Sequence, residues 1–299
     1  MKNQYVGDIG DYGKYSLLSA FADAGIKVGV NWYLTENDGS SDGKFTSYLQ
    51  KASQFRHYDP LVFDALTEID SKGEGRSVYD VQNSGILPGA VFYPELLFPK
   101  GDPDARKKER ERWFEASLPV LQNAELIFLD PDNGLLDGGK IGRLGAEKYV
   151  ISDEIGRYFE RGQNVVYYCH KGRRTETQWF EYKGLMFSRF PEAKPAILTF
   201  HKGTQRSYIF LLHKKDFEVY RRIIDQVKRQ WFRVFTEEYT CFGDPASDSS
   251  GEKITLEKSD GEVITLSKRA DGQLEIRSSR NPNCSTVLSA DHFCRINRI

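Results

Sequence analysis

The chain has 299 residues, 39% of them hydrophobic and 28% charged, with a formal net charge of −1. This is the make-up of an ordinary globular protein with one large domain plus an extension, or with two domains. It excludes a generally basic nucleic-acid binder, so any anionic partner must be met by a local patch.

No run approaches eighteen apolar residues, and the start is polar without a signal-peptide core, so a cytoplasmic protein is expected. Cys169, Cys241, Cys284 and Cys294 show no C-x-x-C spacing, which argues for reduced thiols and against structural zinc.

In chain order, helical spacing of Tyr15, Leu17, Leu18, Phe21 and Ala22 predicts a helix over 14–24, stopped by Gly25. A strand is expected over 27–34, then a polar loop over 35–44 whose Asp38-Gly39 and Asp42-Gly43 pairs are turn formers. Residues 60–71 read as a helix, 85–93 as ending in a short strand, and 104–118 as a charged amphipathic helix. Leu126 to Leu129 is a buried strand, 151–161 a helix, and 164–169 a second buried strand. Strands over 196–200 and 208–212 form an antiparallel hairpin at the end of the sheet, and 216–235 reads as a long basic helix.

Helix–strand alternation predicts an α/β, Rossmann-like doubly wound sheet over residues 1–242. Residues 243–252 have linker composition. Residues 253–299 alternate around Asp260-Gly261 and Asp271-Gly272, as expected of a small β-meander. So small an extension buries little by itself and is expected to pack on the main domain or on a protein partner.

Two acidic, glycine-bearing segments stand out. Gly7-Asp8-Ile9-Gly10-Asp11-Tyr12-Gly13-Lys14 precedes the first helix, and Asp130-Pro131-Asp132-Asn133 ends the buried strand. Carboxylates at the carboxyl end of a buried strand lie where open α/β sheets place ligands, and they are costly to keep without a use. The plainer alternative is an Asx-type turn at 130–133 and Asp11 as a helix N-cap. The first segment has no G-K-[ST] and no preceding strand, so it is not a phosphate loop. His170-Lys171-Gly172-Arg173-Arg174 follows the second buried strand and forms a phosphate-suited patch, with Lys202 and Arg206 from the hairpin turn as reinforcements.

The Gly7–Lys14 segment before Leu17-Leu18, together with Asp130-Pro131-Asp132-Asn133, resembles the class I Rossmann-like ribosomal-RNA adenine-N6 methyltransferases and the related three-cysteine-motif partner proteins. The opening is also similar to that of an uncharacterised bacterial family sharing Gln4-Tyr5-Val6-Gly7-Asp8-Ile9-Gly10-Asp11. The methyltransferase resemblance implies S-adenosylmethionine as cofactor and a nucleic acid or nucleotide as substrate. It implies Asp130 in the chemistry, and Gly7, Asp8, Gly10, Asp11, Lys14 and Asp38 around the cofactor; Asp132, which stands in place of the family's second proline, and His170 are catalytic candidates from their place at the strand ends. Asn133, Lys171 and Arg173 then meet substrate or phosphate. The chain departs from that family where Asn133 replaces a stacking aromatic, and it lacks a Gly-x-Gly turn after the first strand.

Two alternatives remain. Asp130 and Asp132, with Asp8 or Asp11, would bind Mg²⁺ in a metal-dependent nuclease or phosphodiesterase. Otherwise the fold is a non-catalytic module that recruits a protein through its C-terminal meander.

Overall fold

The computed structural model describes residues 1–40, 43, 45–136 and 139–238, and beyond them residues 253–257, 263–268, 274–279 and 281–288. The chain divides into two compact units, Met1–Phe242 and Gly243–Ile299. The linker expected over 243–252, the Asp42-Gly43, Asp260-Gly261 and Asp271-Gly272 pairs as whole turns, Cys241 and Cys294 lie outside the described residues.

The first unit begins with α1 (Ile9–Asp23), β1 (Val28–Asn31), the short α2 (Ala52–Phe55), α3 (Pro60–Asp70), α4 (Val78–Asn83) and β2 (Val91–Tyr93). It continues through α5 (Pro103–Val120), β3 (Leu126–Leu129), α6 (Ser152–Glu160), β4 (Asn164–His170) and α7 (Glu176–Arg189). It closes with β5 (Lys194–Phe200), β6 (Arg206–Leu212), α8 (Phe217–Gln230) and β7 (Phe235–Glu238). The seven strands form one sheet in the order β2-β1-β3-β4-β6-β5-β7. β2, β1, β3 and β4 run parallel; β6, β5 and β7 each pair antiparallel to their neighbours. The fold is α/β and Rossmann-like, with a mixed sheet.

Period-two side-chain alternation sorts the core into two layers. Val28, Val30, Leu126 and Phe128 face a layer shared with α1, α3, α4 and α8. Ile127, Leu129, Val165 and Tyr167 face the opposite layer, packed under α5, α6 and α7. Covered on both faces, β3 is a continuous apolar run, as expected of a central parallel strand.

Three differences from the sequence expectations have physical causes. α1 begins at Ile9 because Asp8 caps it, its Oδ1 accepting from Gly10 N–H at 2.8 Å. Asp11 therefore sits within the first turn, and the glycine segment is helix more than loop. The hairpin does not simply extend the sheet: β6 inserts between β4 and β5, and β7 supplies the edge. The last helix stops at Gln230 because Arg233 takes a left-handed φ of 62° and Phe235 turns into the core beside Phe200.

The second unit is a four-stranded antiparallel sheet in the order β11-β10-β9-β8, built from β8 (Lys253–Glu257), β9 (Val263–Lys268), β10 (Leu274–Ser278) and β11 (Asn281–Leu288). Among the described residues no helix is long and apolar enough to cross a membrane.

Candidate functional site

Strand direction brings the carboxyl ends of β1, β3 and β4 and the amino end of antiparallel β6 to one sheet edge. His170 closes β4 opposite Arg206, which opens β6. The first turns of α1 lie across this edge and enclose a pocket of about 300 Å³, within the range of small-molecule sites. Asp8, Gly10, Asp11 and Lys14 line one side; Asp130 to Asn133 and His170 line the other. Thus the two segments that stand out in the sequence, well over a hundred residues apart, form one cavity.

At its floor is a buried triad. The Lys14 ammonium lies 2.7 Å from Asp11 Oδ1 and 2.7 Å from Asp130 Oδ2. Burial opposes the charge on Lys14, but the two carboxylates outweigh it and raise its pKa. Burial likewise pushes the Asp11 carboxyl up, against the pull of Lys14. Asp130 also lines the pocket, its Oδ2 taken by Lys14.

Asp132 is directed differently. Its Oδ1 lies 2.6 Å from the Met1 amino group, which also donates to the carbonyls of Asp130 (2.9 Å) and Tyr33 (3.1 Å). Thr35 Oγ1 donates to Asp132 Oδ2 at 3.1 Å, and the Lys2 ammonium is 3.9 Å from that oxygen. Tyr33 holds a φ of 45°, rare and strained for a bulky residue, which marks the end of β1 as a special turn.

The third wall is Arg206. Its Nη2 donates to Asp8 Oδ1 at 2.6 Å, tying β6 to the start of α1. Gly10 makes this possible: a Cβ there would lie 2.2 Å from the guanidinium carbon. Gly13 likewise gives way to the Phe200 ring, at 2.5 Å from a would-be Cβ. Both glycines therefore serve close packing. Beside Arg206, burial pushes the Tyr168 phenol up to about 12. Burial, with Arg174 and Arg206 nearby, lowers the His170 pKa, so the ring is largely neutral at pH 7.

Of the residues expected at the site, Asp8, Gly10, Asp11, Lys14, Asp130, Asp132, Asn133 and His170 line the pocket. Gly7, Asp38, Lys171 and Arg173 do not. Gly7 donates its N–H to Asp11 Oδ2 at 3.2 Å. Asp38 pairs with Lys2, the chief cause of its lowered pKa, and accepts from Gln4. Lys171 pairs with Glu176, and Arg173 is exposed. The pocket also gains Tyr5, Phe45, Tyr168 and Tyr208; Tyr168 and Tyr208 lie in expected strands, but no pattern marks any of the four as a site residue. Among the described residues no three His, Cys, Asp or Glu side chains converge on a common point as metal ligands would. No protein-family model and no curated protein matches the chain.

Proposed function

We propose that the chain is an S-adenosylmethionine-dependent, methyltransferase-like enzyme acting on a nucleotide or nucleic acid. The observation that supports this reading best is the closure of the Asp8–Lys14 segment over Asp130 in a single pocket at the sheet's carboxyl edge. Closing a parallel sheet with an antiparallel hairpin is also how the methyltransferases of the resemblance finish.

The donor set fits such a cofactor in charge. The pocket presents the carboxylates of Asp8, Asp11, Asp130 and Asp132 against Lys14, Arg206 and the Met1 amino group, a balance that favours a ligand with a positive centre. When bound, S-adenosylmethionine supplies an electrophilic methyl group on sulfonium. Asp8, Gly10 and Asp11 would form its wall, with Arg206 available to a carboxylate.

The chain's own residues orient the acceptor. An exocyclic amine is a weak nucleophile because its lone pair is delocalised, so its hydrogens need acceptors. The Asp130 carboxylate and the Pro131 carbonyl provide them. Lys14 holds the Asp130 carboxylate in place through its Oδ2. His170 in the pocket, and the exposed Arg173 outside it, offer contacts to phosphate.

The Mg²⁺-dependent alternative gains no support from the geometry. Asp130 is tied to Lys14 and Asp132 to the Met1 amino group, so the two carboxylates are already matched with separate cations. The experiment is titration calorimetry with S-adenosylmethionine and S-adenosylhomocysteine on the full chain, its folding verified by circular dichroism. Saturable heat that falls in Asp130→Asn supports the reading; no heat at high protein concentration ends it.

A further inference from the structure

Eleven large apolar side chains are substantially exposed among the described residues, including Phe45, Leu61, Leu144 and Phe232. Of these, Phe45 is the one that lines the pocket. It is 62% exposed, yet its backbone is held from both sides. Its N–H donates to Asp8 Oδ2 at 3.2 Å, and its carbonyl accepts from Ile9 N–H at 3.1 Å. The same aspartate that caps α1 and binds Arg206 therefore also fixes where this ring stands.

Of the aromatic rings that line the pocket, Tyr208 is buried and Tyr5 and Tyr168 are half-buried, so Phe45 is the one whose face is left largely in water. It becomes useful when a flat ligand covers it. The chain has Asn133 where the resemblance would place a stacking aromatic, so the pocket needs its flat apolar surface from elsewhere.

We infer that Phe45 is the stacking platform for the planar nitrogen heterocycle of a nucleoside, and so sets the ligand class of the pocket. This rests on the function proposed above and deepens it. A base lying on Phe45 inside a pocket of about 300 Å³ cannot remain stacked in a duplex. Where that base is the substrate's, the substrate is a free nucleotide, or a base in a single-stranded or flipped-out position. The heterocycle can belong to the cofactor's adenine or to the substrate base; both are recognised by the same chemistry.

The test compares the wild-type chain with Phe45→Ala and Phe45→Trp. The probes are S-adenosylhomocysteine, AMP, CMP and ribose 5-phosphate, with affinities measured by calorimetry. Phe45→Ala should weaken the heterocyclic probes about 5- to 150-fold and leave ribose 5-phosphate unchanged. Phe45→Trp should retain affinity within about threefold, its added tryptophan emission quenched as the ring is covered. Loss confined to S-adenosylhomocysteine assigns the ring to the cofactor; loss confined to AMP and CMP assigns it to the substrate. Wild-type and Phe45→Ala affinities within twofold of each other for every heterocyclic probe overturn the inference while leaving the site reading intact. A folded wild-type chain that binds none of the four probes overturns both.

Discussion

Two clusters of buried charge lie on opposite faces of the same sheet, and they are built to different ends. On the α5–α6 side, Arg110 meets Glu154 through two parallel bonds of 2.7 Å. Its remaining donors go to the carbonyls of Ala146 and Tyr149, and Glu154 also accepts from Tyr33 Oη and Ile151 N–H. Each partner makes four hydrogen bonds, the kind of pairing that lets a structural pair offset its desolvation. On the α1 side, Lys14 serves two carboxylates at once, and both Asp11 and Asp130 line a cavity. One cluster is closed; the other has an excess of acceptors where a ligand can enter. That difference separates scaffold from site better than burial or charge alone.

The comparison breaks most sharply at Glu154. Glu154→Ala leaves Arg110 buried without a counter-charge and should cost about 3–5 kcal/mol in urea unfolding. Ligand affinity of the folded fraction should not change. A smaller loss of stability would mean that the pair is less essential than its geometry implies.

Asp130→Asn should show the reverse pattern. Two carboxylates share one lysine, so neutralising one leaves Lys14 balanced by Asp11, and stability should fall by less than about 1.5 kcal/mol. Methyl transfer should drop about 10²- to 10³-fold if Asp130 orients the acceptor in the transition state. Single-turnover assays separate this from a change in binding.

Arg206→Lys sharpens the boundary between the two functions. It keeps the charge and loses the planar fork, so Asp8 holds the start of α1 less firmly. A loss of about 1–2 kcal/mol is expected, with hydrogen exchange rising first at Gly10 and Phe45.

The smallest effect is that of pH. Burial first, then Arg174 and Arg206, holds the His170 pKa below 6.5, while contact with Asp132 works the other way. Its neutral form contributes stability that is fully present above about pH 6.5 and is lost as pH falls through the lowered value. Protonation as pH falls below about 6.5 adds a cation to the pocket, so adenosine 5′-sulfate, whose own charge is fixed over that range, should bind modestly tighter. His170→Gln should flatten that slope in calorimetry; an unchanged slope would assign the titration to another group.

Much of the frame is legible in the sequence because burial on two faces leaves a strong signal. Leu126–Leu129 is apolar throughout and ends on Asp130, so both its class and its bounds can be read. The α1 start is not legible, since Gly10 and Gly13 carry a helix penalty of about 1 kcal/mol each. Their reasons, Arg206 and Phe200, lie almost two hundred residues away. Likewise Arg206 reads as one charge in a turn until the antiparallel register sets it opposite His170. Phe45 directly follows the polar loop 35–44 with no periodicity, and its anchorage to Asp8 and Ile9 holds it at the pocket. Local pattern reveals elements; the site depends on which distant elements are forced to touch.

The Asp8–Arg206 contact has a temporal side. It joins residues 198 positions apart, so during synthesis the amino-terminal arm waits for the hairpin to emerge. At ordinary elongation rates that delay is roughly 10–40 s. Any fragment that stops before β6 leaves Asp8 without its guanidinium and Lys14 beside an unfinished wall, so ligand competence should arrive late, after most of the sheet has formed.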